Sequence, residues 1–117
     1  MGPFRDGWTE ADVEAVIERG NPDELPYAPI VATMDPPDYE WALSVCLRLA
    51  THPHPHVRAN AILGFGHLAR TCRQLDEAVV RPLIERALKD EDRAVRGNAA
   101  SAADDIETYL EWHIERD

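Results

Sequence analysis

The sequence predicts an all-α domain of about three antiparallel helix pairs, stacked as a short α-solenoid. Three observations lead to this prediction. Apolar residues recur at helical spacing in six segments, no segment alternates with the period of two that marks a strand, and one stretch is repeated. The stretch VRANAILGFGHLAR at residues 57–70 returns 38 positions later as VRGNAASAADDIET at residues 95–108. Helix pairs that repeat at this interval are typical of a solenoid, and an up-down helical bundle is the alternative architecture.

Length and composition indicate one domain. The chain has 117 residues, enough to bury a core of its own. We expect a single helical domain over residues 1–117, in which residues 1–8 form a flexible arm because glycine and proline discourage regular structure there. Cys46 and Cys72 lack the spacing of a metal or redox motif, which predicts reduced core residues of a cytoplasmic protein.

The first half of the chain predicts three helices. Thr9 is a candidate N-cap, and the apolar stripe that follows it ends at Gly20. A second helix is expected from about Asp23 to Met34, although Pro29 should kink it or delay its start. After a break rich in proline and aspartate, a third helix is expected from Tyr39 to Ala50.

The second half predicts three more helices. A stiff connector, HPHPH at residues 52–56, leads into a helix from about Pro55 to Cys72. A helix capped by Asp76 should reach Lys89, and a last helix should run from about Arg93 to Trp112. The residues of the repeated stretch that should face the core are Val57, Ala61, Phe65 and Leu68.

The net charge of −10 is unevenly distributed along the chain. Residues 1–40 hold ten acids and two arginines, residues 41–75 hold four arginines and no acid, and residues 76–117 hold twelve acids and six bases. Nucleic-acid binders normally carry a basic surplus, so the balance argues against that class, except in the middle third. A basic protein partner suits an acidic chain better. Acidity that only keeps the protein soluble is the alternative interpretation.

The turn before the second copy carries a motif with a known counterpart. Residues 90–99 read DEDRAVRGNA and resemble the D-x-D-x-x-V-R-x-x-A pattern of HEAT repeats. Residues 52–61 read HPHPHVRANA and match only at the valine, the arginine and the last alanine, because histidines replace both turn acids. The resemblance covers roughly residues 38–112, and only the length of the helix pair extends it to residues 9–37.

In HEAT repeats the arginine of this motif usually pairs with turn acids and locks neighbouring repeats together. The resemblance therefore implies that Arg58 and Arg96 are structural, with Asp90 and Asp92 as candidate partners, while contact with another protein is the alternative. Because only Arg96 has acids in its own turn, we expect Arg96→Ala to destabilise the fold more than Arg58→Ala. The reverse order would mean that Arg58 finds a partner in the next repeat.

The repeated stretch also has a polar side. Equivalent helices of stacked repeats pack roughly 10 Å apart, which places His67 beside Asp105 and Asn60 beside Asn98. The HEAT resemblance implies that the second helix of each pair lines a concave binding surface. The candidate partner-binding residues on that surface are Asn60, His67, Arg70, Asn98, Asp105, Tyr109 and Trp112.

His67 and Asp105 have three interpretations: a buried hydrogen bond between repeats, partner recognition, or catalysis. Catalysis needs a nucleophile or a metal beside the pair, and no serine or cysteine is placed there. The histidines of residues 52–56 lack the spacing of a zinc site, so no metal or cofactor is expected. Gly64 and Gly66 each cost a helix roughly 1 kcal/mol relative to alanine, which close helix packing would justify.

These observations favour a cytoplasmic, non-enzymatic HEAT-like module that binds another protein. Some small bacterial HEAT-like proteins are immunity proteins, and an acidic one would complement a basic toxin nuclease. A scaffold or an assembly factor is the alternative. A HEAT-type enzyme of nucleic acid, resembling the alkylpurine glycosylases, fits less well because those proteins bind DNA through a basic concave face. The sequence predicts neither catalytic residues nor membrane contact.

Overall fold

A computed structural model describes residues 2–4, 7–36 and 38–116. These residues form six helices and, within the described ranges, no strand, which confirms the all-α solenoid-like prediction. The helices are α1 (Glu10–Arg19), α2 (Tyr27–Met34), α3 (Tyr39–Leu49), α4 (Pro55–Cys72), α5 (Glu77–Ala87) and α6 (Arg93–Leu110).

Helix α4 is the centre of the fold. It packs against α2 and, most extensively, against α6, and it also contacts α3 and α5. The second helices of the three pairs, α2, α4 and α6, therefore form one layer with α4 in the middle. The four residues predicted to face the core, Val57, Ala61, Phe65 and Leu68, are fully buried. This places the repeated stretch at the core of the domain.

The ends of α1 follow from local chemistry. The Thr9 side chain accepts a hydrogen bond from the Asp12 backbone N–H, and the Asp12 carboxylate accepts one from the Thr9 N–H, which together make a capping box. Gly20 ends the helix in the left-handed region, with φ 65°. The predicted helix at residues 9–20 is confirmed.

Helix α2 begins at Tyr27, four residues later than expected. The segment before it forms a turn in which the Asn21 carbonyl accepts hydrogen bonds from the N–H groups of Glu24 and Leu25. Pro29 then lies in the first helical turn, where a missing N–H leaves no hydrogen bond unmade. The structure therefore shows the delayed start of α2 that we expected from Pro29.

The C-terminal segment corrects the expected end of α6. The helix ends at Leu110 because Glu111 adopts a left-handed conformation, with φ 59°, and reverses the chain. The turn buries Ile114, whose N–H donates to Glu107 Oε2 at 3.0 Å. Trp112 therefore lies outside the helix in which it was predicted.

Two smaller differences concern α5 and the N-terminal arm. Helix α5 ends at Ala87 rather than Lys89, and its apolar residue Val79 is exposed. Residues 1–8 form no helix in their described part, but Phe4 belongs to the buried core, so the segment is anchored at that side chain. Met1, Arg5 and Asp6, which the predicted arm includes, lie outside the described residues.

Candidate functional site: the face of the second helices

The acids of the turn before α6 hold the turn in place. Asp90 Oδ1 accepts a hydrogen bond from the Asp92 N–H at 2.9 Å, and Asp92 Oδ1 accepts one from the Ala94 N–H at 2.9 Å. Asp92 is thus the N-cap of α6. Arg96 closes the turn by donating to the carbonyl oxygens of Asp90 and Glu91, at 2.8 and 3.0 Å.

The histidine turn before α4 makes the same contacts with different atoms. His52 Nδ1 accepts from the His54 N–H at 3.0 Å, and His54 Nδ1 accepts from the His56 N–H at 3.2 Å. Arg58 donates to the carbonyl oxygens of His52 and Pro53, both at 3.0 Å. Each imidazole nitrogen therefore occupies the role that a carboxylate oxygen has 38 residues later. Sequence reasoning treated these histidines only as a possible metal site and missed this role.

Arg58 also reaches into the next repeat. Its Nη2 and Nε donate to Asp90 Oδ1 and Oδ2 at 2.9 and 3.0 Å, and the two side chains are only 16% and 14% exposed. This two-point contact raises the pKa of Arg58 and lowers the pKa of Asp90. The ion pair joins α4 to the turn before α6 in the next repeat.

The expected partner of Arg96 requires a correction. Among the described residues its hydrogen bonds go only to backbone carbonyls, and the side chain is exposed. Asp90 instead pairs with Arg58, and Asp92 caps α6. The premise that only Arg96 has acids at hand is therefore wrong, because a solenoid brings the turn of the next repeat beside Arg58.

Two asparagines tie the second helices together. The Asn60 side chain on α4 donates to the carbonyl oxygen of Pro26 at the start of α2, at 2.9 Å. The Asn98 side chain on α6 donates to the carbonyl oxygen of Ala59 on α4, at 3.0 Å. Both side chains are half-buried, so they lie between helices and beneath the outer surface.

His67 lies between α2 and α6 and is half-buried. Its Nδ1 is 3.0 Å from the hydroxyl oxygen of the fully buried Thr33, which sequence reasoning did not select. Burial lowers the pKa of His67, the charge of Arg70 lowers it further, and the charge of Asp105 acts in the opposite direction. Asp105 is thus close enough to act on the imidazole, while the hydrogen bond goes to Thr33. No repeat motif marks α2, so only packing reveals this contact.

The two glycines of α4 mark close helix contacts. A Cβ on Gly66 would lie 2.9 Å from Ala102 Cα, a backbone atom of α6. A Cβ on Gly64 would lie 2.6 Å from the Sγ of the buried Cys46. Close packing therefore explains both glycines, and burial raises the pKa of the Cys46 thiol.

The remaining predicted site residues lie near the C-terminal ends of α4 and α6. Arg70 Nη1 is 3.6 Å from Asp105 Oδ2, in a loose ion pair whose side chains are 48% and 29% exposed. The guanidinium of Arg73 lies 4.6 Å from the ring centroid of Tyr109. Trp112 is half-buried against the core beyond the end of α6.

The basic middle third is balanced by contacts with other segments. Arg48 on α3 pairs with Glu14 on α1, with 2.6 Å between Nη2 and Oε2. The other three arginines of residues 41–75 contact Asp90, Asp105 and Tyr109, as described above. Three of the four arginines therefore lie beside a carboxylate of the domain, and Arg73 lies over a neutral ring.

Two further observations concern metal ions and membranes. Over residues 2–4, 7–36 and 38–116, no group of three or more histidine, cysteine, aspartate or glutamate side chains is arranged to hold a metal ion. In the same part of the chain, no helix is both long and apolar enough to cross a membrane.

Comparisons with known proteins agree with this geometry. Residues 43–109, more than half of the chain, match the family of HEAT repeats, and the chain belongs to that family. A chain in the crystal structure of a CDI complex from Cupriavidus taiwanensis LMG 19424 has a similar structure, with a TM-score of 0.75 and 27% sequence identity. The similarity covers 93% of this chain and 95% of that chain. No curated protein matches the sequence.

Proposed function

We propose that this chain is an immunity protein that binds a toxin domain and blocks its activity. One observation carries the proposal: nearly the whole chain is similar to a chain of a CDI complex. Contact-dependent inhibition (CDI) pairs a toxin with its immunity protein. The similarity is not limited to a few helices, since it includes 93% of this chain. A HEAT module, whose stacked helices form an extended binding surface, suits the immunity partner of such a pair.

The charge of the chain supports a basic partner. The net charge is −10, and the arginines of the middle third already have partners within the domain. The surface field is therefore acidic, and it would speed the encounter with a basic toxin nuclease. We expect the chain to act in the cytoplasm and to inhibit by covering the toxin rather than by chemistry of its own.

The face of the second helices is the proposed contact surface. Asn60 and Asn98 support it from beneath, because their side chains bond backbone carbonyls between the helices. His67, Arg70 and Asp105 reach the surface above them and are partly exposed. Tyr109 and Trp112, which are half-buried at and beyond the end of α6, are also proposed to belong to this surface. Such a mixture of polar and aromatic side chains is typical of binding anchors.

Co-expression with the toxin domain encoded by the neighbouring gene tests the proposal. The chain should restore growth of cells that make the toxin and should co-purify with it in a stable complex. A toxin of unrelated sequence, expressed at the same level, is the control and should kill regardless of the chain. Continued killing by the neighbouring toxin without co-purification would contradict the proposal. Co-purification with increased activity of the bound protein would support an assembly factor instead.

A further inference from the structure

One ring nitrogen of His67, Nδ1, is hydrogen-bonded to Thr33, and the other, Nε2, has no hydrogen-bond partner among the described residues. The Thr33 hydroxyl oxygen is 2.7 Å from the carbonyl oxygen of Pro29 and 3.0 Å from His67 Nδ1. A carbonyl oxygen can only accept, so the single hydroxyl proton lies in the shorter contact and is donated to Pro29. His67 Nδ1 must then carry a proton of its own and donate it to the Thr33 oxygen. Thr33 thus selects the tautomer of His67.

The second ring nitrogen, Nε2, is consequently an acceptor. Burial and the charge of Arg70 lower the pKa of His67, so the ring is neutral at pH 7 and Nε2 keeps its lone pair. Within the described part of the chain, Arg81 Nε is the only buried side-chain nitrogen or oxygen without a hydrogen-bond partner. The unpaired Nε2 of His67 is therefore accessible to solvent and to a ligand.

Arg70 supplies the complementary group one helical turn away. Residues three apart on a helix share a face, with about 5–6 Å between their Cβ atoms. The 3.6 Å between Arg70 Nη1 and Asp105 Oδ2 is too long for a hydrogen bond, so the guanidinium keeps donors for a ligand. An acceptor and a donor on the same helix face can bind the N–H and the C=O of one amide group.

We propose that His67 and Arg70 together recognise an amide group of the protein partner, either a backbone peptide or an Asn or Gln side chain. The amide N–H donates to His67 Nε2, and the amide oxygen accepts from the Arg70 guanidinium. This inference rests on the proposed function, because it specifies how one point of the partner is recognised. A carboxylate cannot donate to Nε2.

The electrostatics favour a neutral donor over a cation. At the His67 ring, the effect of Arg70 exceeds that of Asp105. The positive charge of Arg70 on the same helix face therefore disfavours a second positive charge, such as a lysine ammonium, beside the ring. The overall charges of the two proteins would attract a basic toxin to the chain. Within the interface, His67 and Arg70 would bind an uncharged group of that toxin.

The tautomer can be measured in the free protein, independently of any partner. Nitrogen-15 NMR of the imidazole at pH 7 should show a protonated Nδ1 and an unprotonated Nε2 for His67. Thr33→Val keeps the side-chain shape and removes the hydroxyl, so it should shift the ring toward the Nε2–H tautomer. A wild-type ring protonated at Nε2 would overturn the inference, whatever the toxin does.

Two substitutions then separate the two nitrogens in the complex with the toxin domain of the neighbouring gene. His67→Asn keeps a donor near Nδ1 but removes Nε2, and it should weaken affinity about tenfold while leaving thermal stability nearly unchanged. His67→Gln places an amide oxygen near Nε2 but loses the bond to Thr33. It should lower thermal stability and keep affinity within about threefold of wild type.

The outcomes distinguish the two proposals. Wild-type affinity for His67→Asn, or a greater loss for His67→Gln than for His67→Asn, would overturn the amide site and leave the immunity function intact. If the wild-type chain itself does not bind the toxin domain, the proposed function fails, and with it this role of His67. A crystal structure of the complex with an amide between Nε2 and Arg70 would be the direct confirmation.

Discussion

The turn before α4 and the turn before α6 make the same backbone contacts through different side chains. In the first, the Nδ1 atoms of His52 and His54 accept the two backbone hydrogen bonds, at 3.0 and 3.2 Å. In the second, the carboxylates of Asp90 and Asp92 accept them, both at 2.9 Å. Both turns of this chain thus have acceptors at the same two positions, supplied by imidazole nitrogens in one turn and by carboxylate oxygens in the other.

The difference between the turns changes what each arginine can bind. Arg58 has no acid in its own turn and pairs with Asp90 of the next repeat. Arg96 bonds only carbonyl oxygens among the described residues. The first copy is thus held to the second by an ion pair, while Arg96 makes no such pair with a described residue. Substitutions at matched positions in the two copies test this account.

The largest expected effect is at the two arginines. Arg58→Ala should destabilise the protein by about 2–3 kcal/mol, because it removes the ion-pair partner of the mostly buried Asp90 and the donor to two turn carbonyls. Arg96→Ala should cost about 1 kcal/mol or less, since its side chain is exposed. Urea unfolding of both variants measures the difference. Equal losses would show that the bond between repeats contributes little.

Glycines in the two helices should respond in opposite directions. Gly66→Ala should cost about 2 kcal/mol, because its Cβ would lie 2.9 Å from the backbone of α6. Gly97→Ala is the control, since nothing lies within 4 Å of its Cβ and the helix should gain up to about 1 kcal/mol. Thermal unfolding compares the variants. Stabilisation by Gly66→Ala would mean that α4 and α6 pack less closely than described.

The smallest effect is a difference in pH dependence between the turns. The pKa of His52 is lowered by burial, then by the charges of His54 and Arg58, so the unfolded chain binds more protons than the folded one. The contribution of His52 to the free energy of unfolding is therefore fully present above the ordinary histidine pKa of about 6.5. It decreases as the pH falls below that value, until the pH reaches the pKa of His52 in the folded protein. Protonation removes the lone pair that Nδ1 uses to accept.

The double variant His52→Asp with His54→Asp converts the first turn to the chemistry of the second. The ordinary pKa of an aspartate is about 3.9, so the two introduced carboxylates stay ionised between pH 7 and 5. Urea unfolding across this range should show a flatter profile for the double variant than for wild type. Some slope should remain, because the pKa of His67 is also lowered. An unchanged profile would exclude the turn histidines as its source.

The sequence predicted the regular parts of the fold and missed contacts between distant segments. The bounds of α4 follow from Pro55 at its start and a clear apolar stripe, both of which are local signals. The pairing of Arg58 with Asp90 was left as an alternative, because it depends on how the repeats stack rather than on residue type. Thr33 was not selected at all, since α2 has no motif that sets its register against α4.

In the candidate site too, the sequence predicted features that depend on local signals and missed contacts between distant segments. Periodicity placed His67 and Arg70 on the second-helix layer, because a helix repeats every 3.6 residues. It could not tell that Asn60 and Asn98 bond backbone carbonyls, since any polar residue at those positions fits the pattern equally well. Trp112 was assigned to a helix because no glycine or proline marks the end of α6, which Glu111 closes instead.

The central claim is that the layer of second helices faces a protein partner. The most direct measurement is the affinity for the toxin domain of the neighbouring gene, by titration calorimetry, of two matched arginine variants. Arg70→Ala removes an exposed arginine of α4, the second helix of its pair. Arg86→Ala removes an exposed arginine of α5, the first helix of its pair. The account predicts a loss of about tenfold or more for Arg70→Ala and a change within about twofold for Arg86→Ala. Wild-type affinity for Arg70→Ala together with a large loss for Arg86→Ala would contradict it.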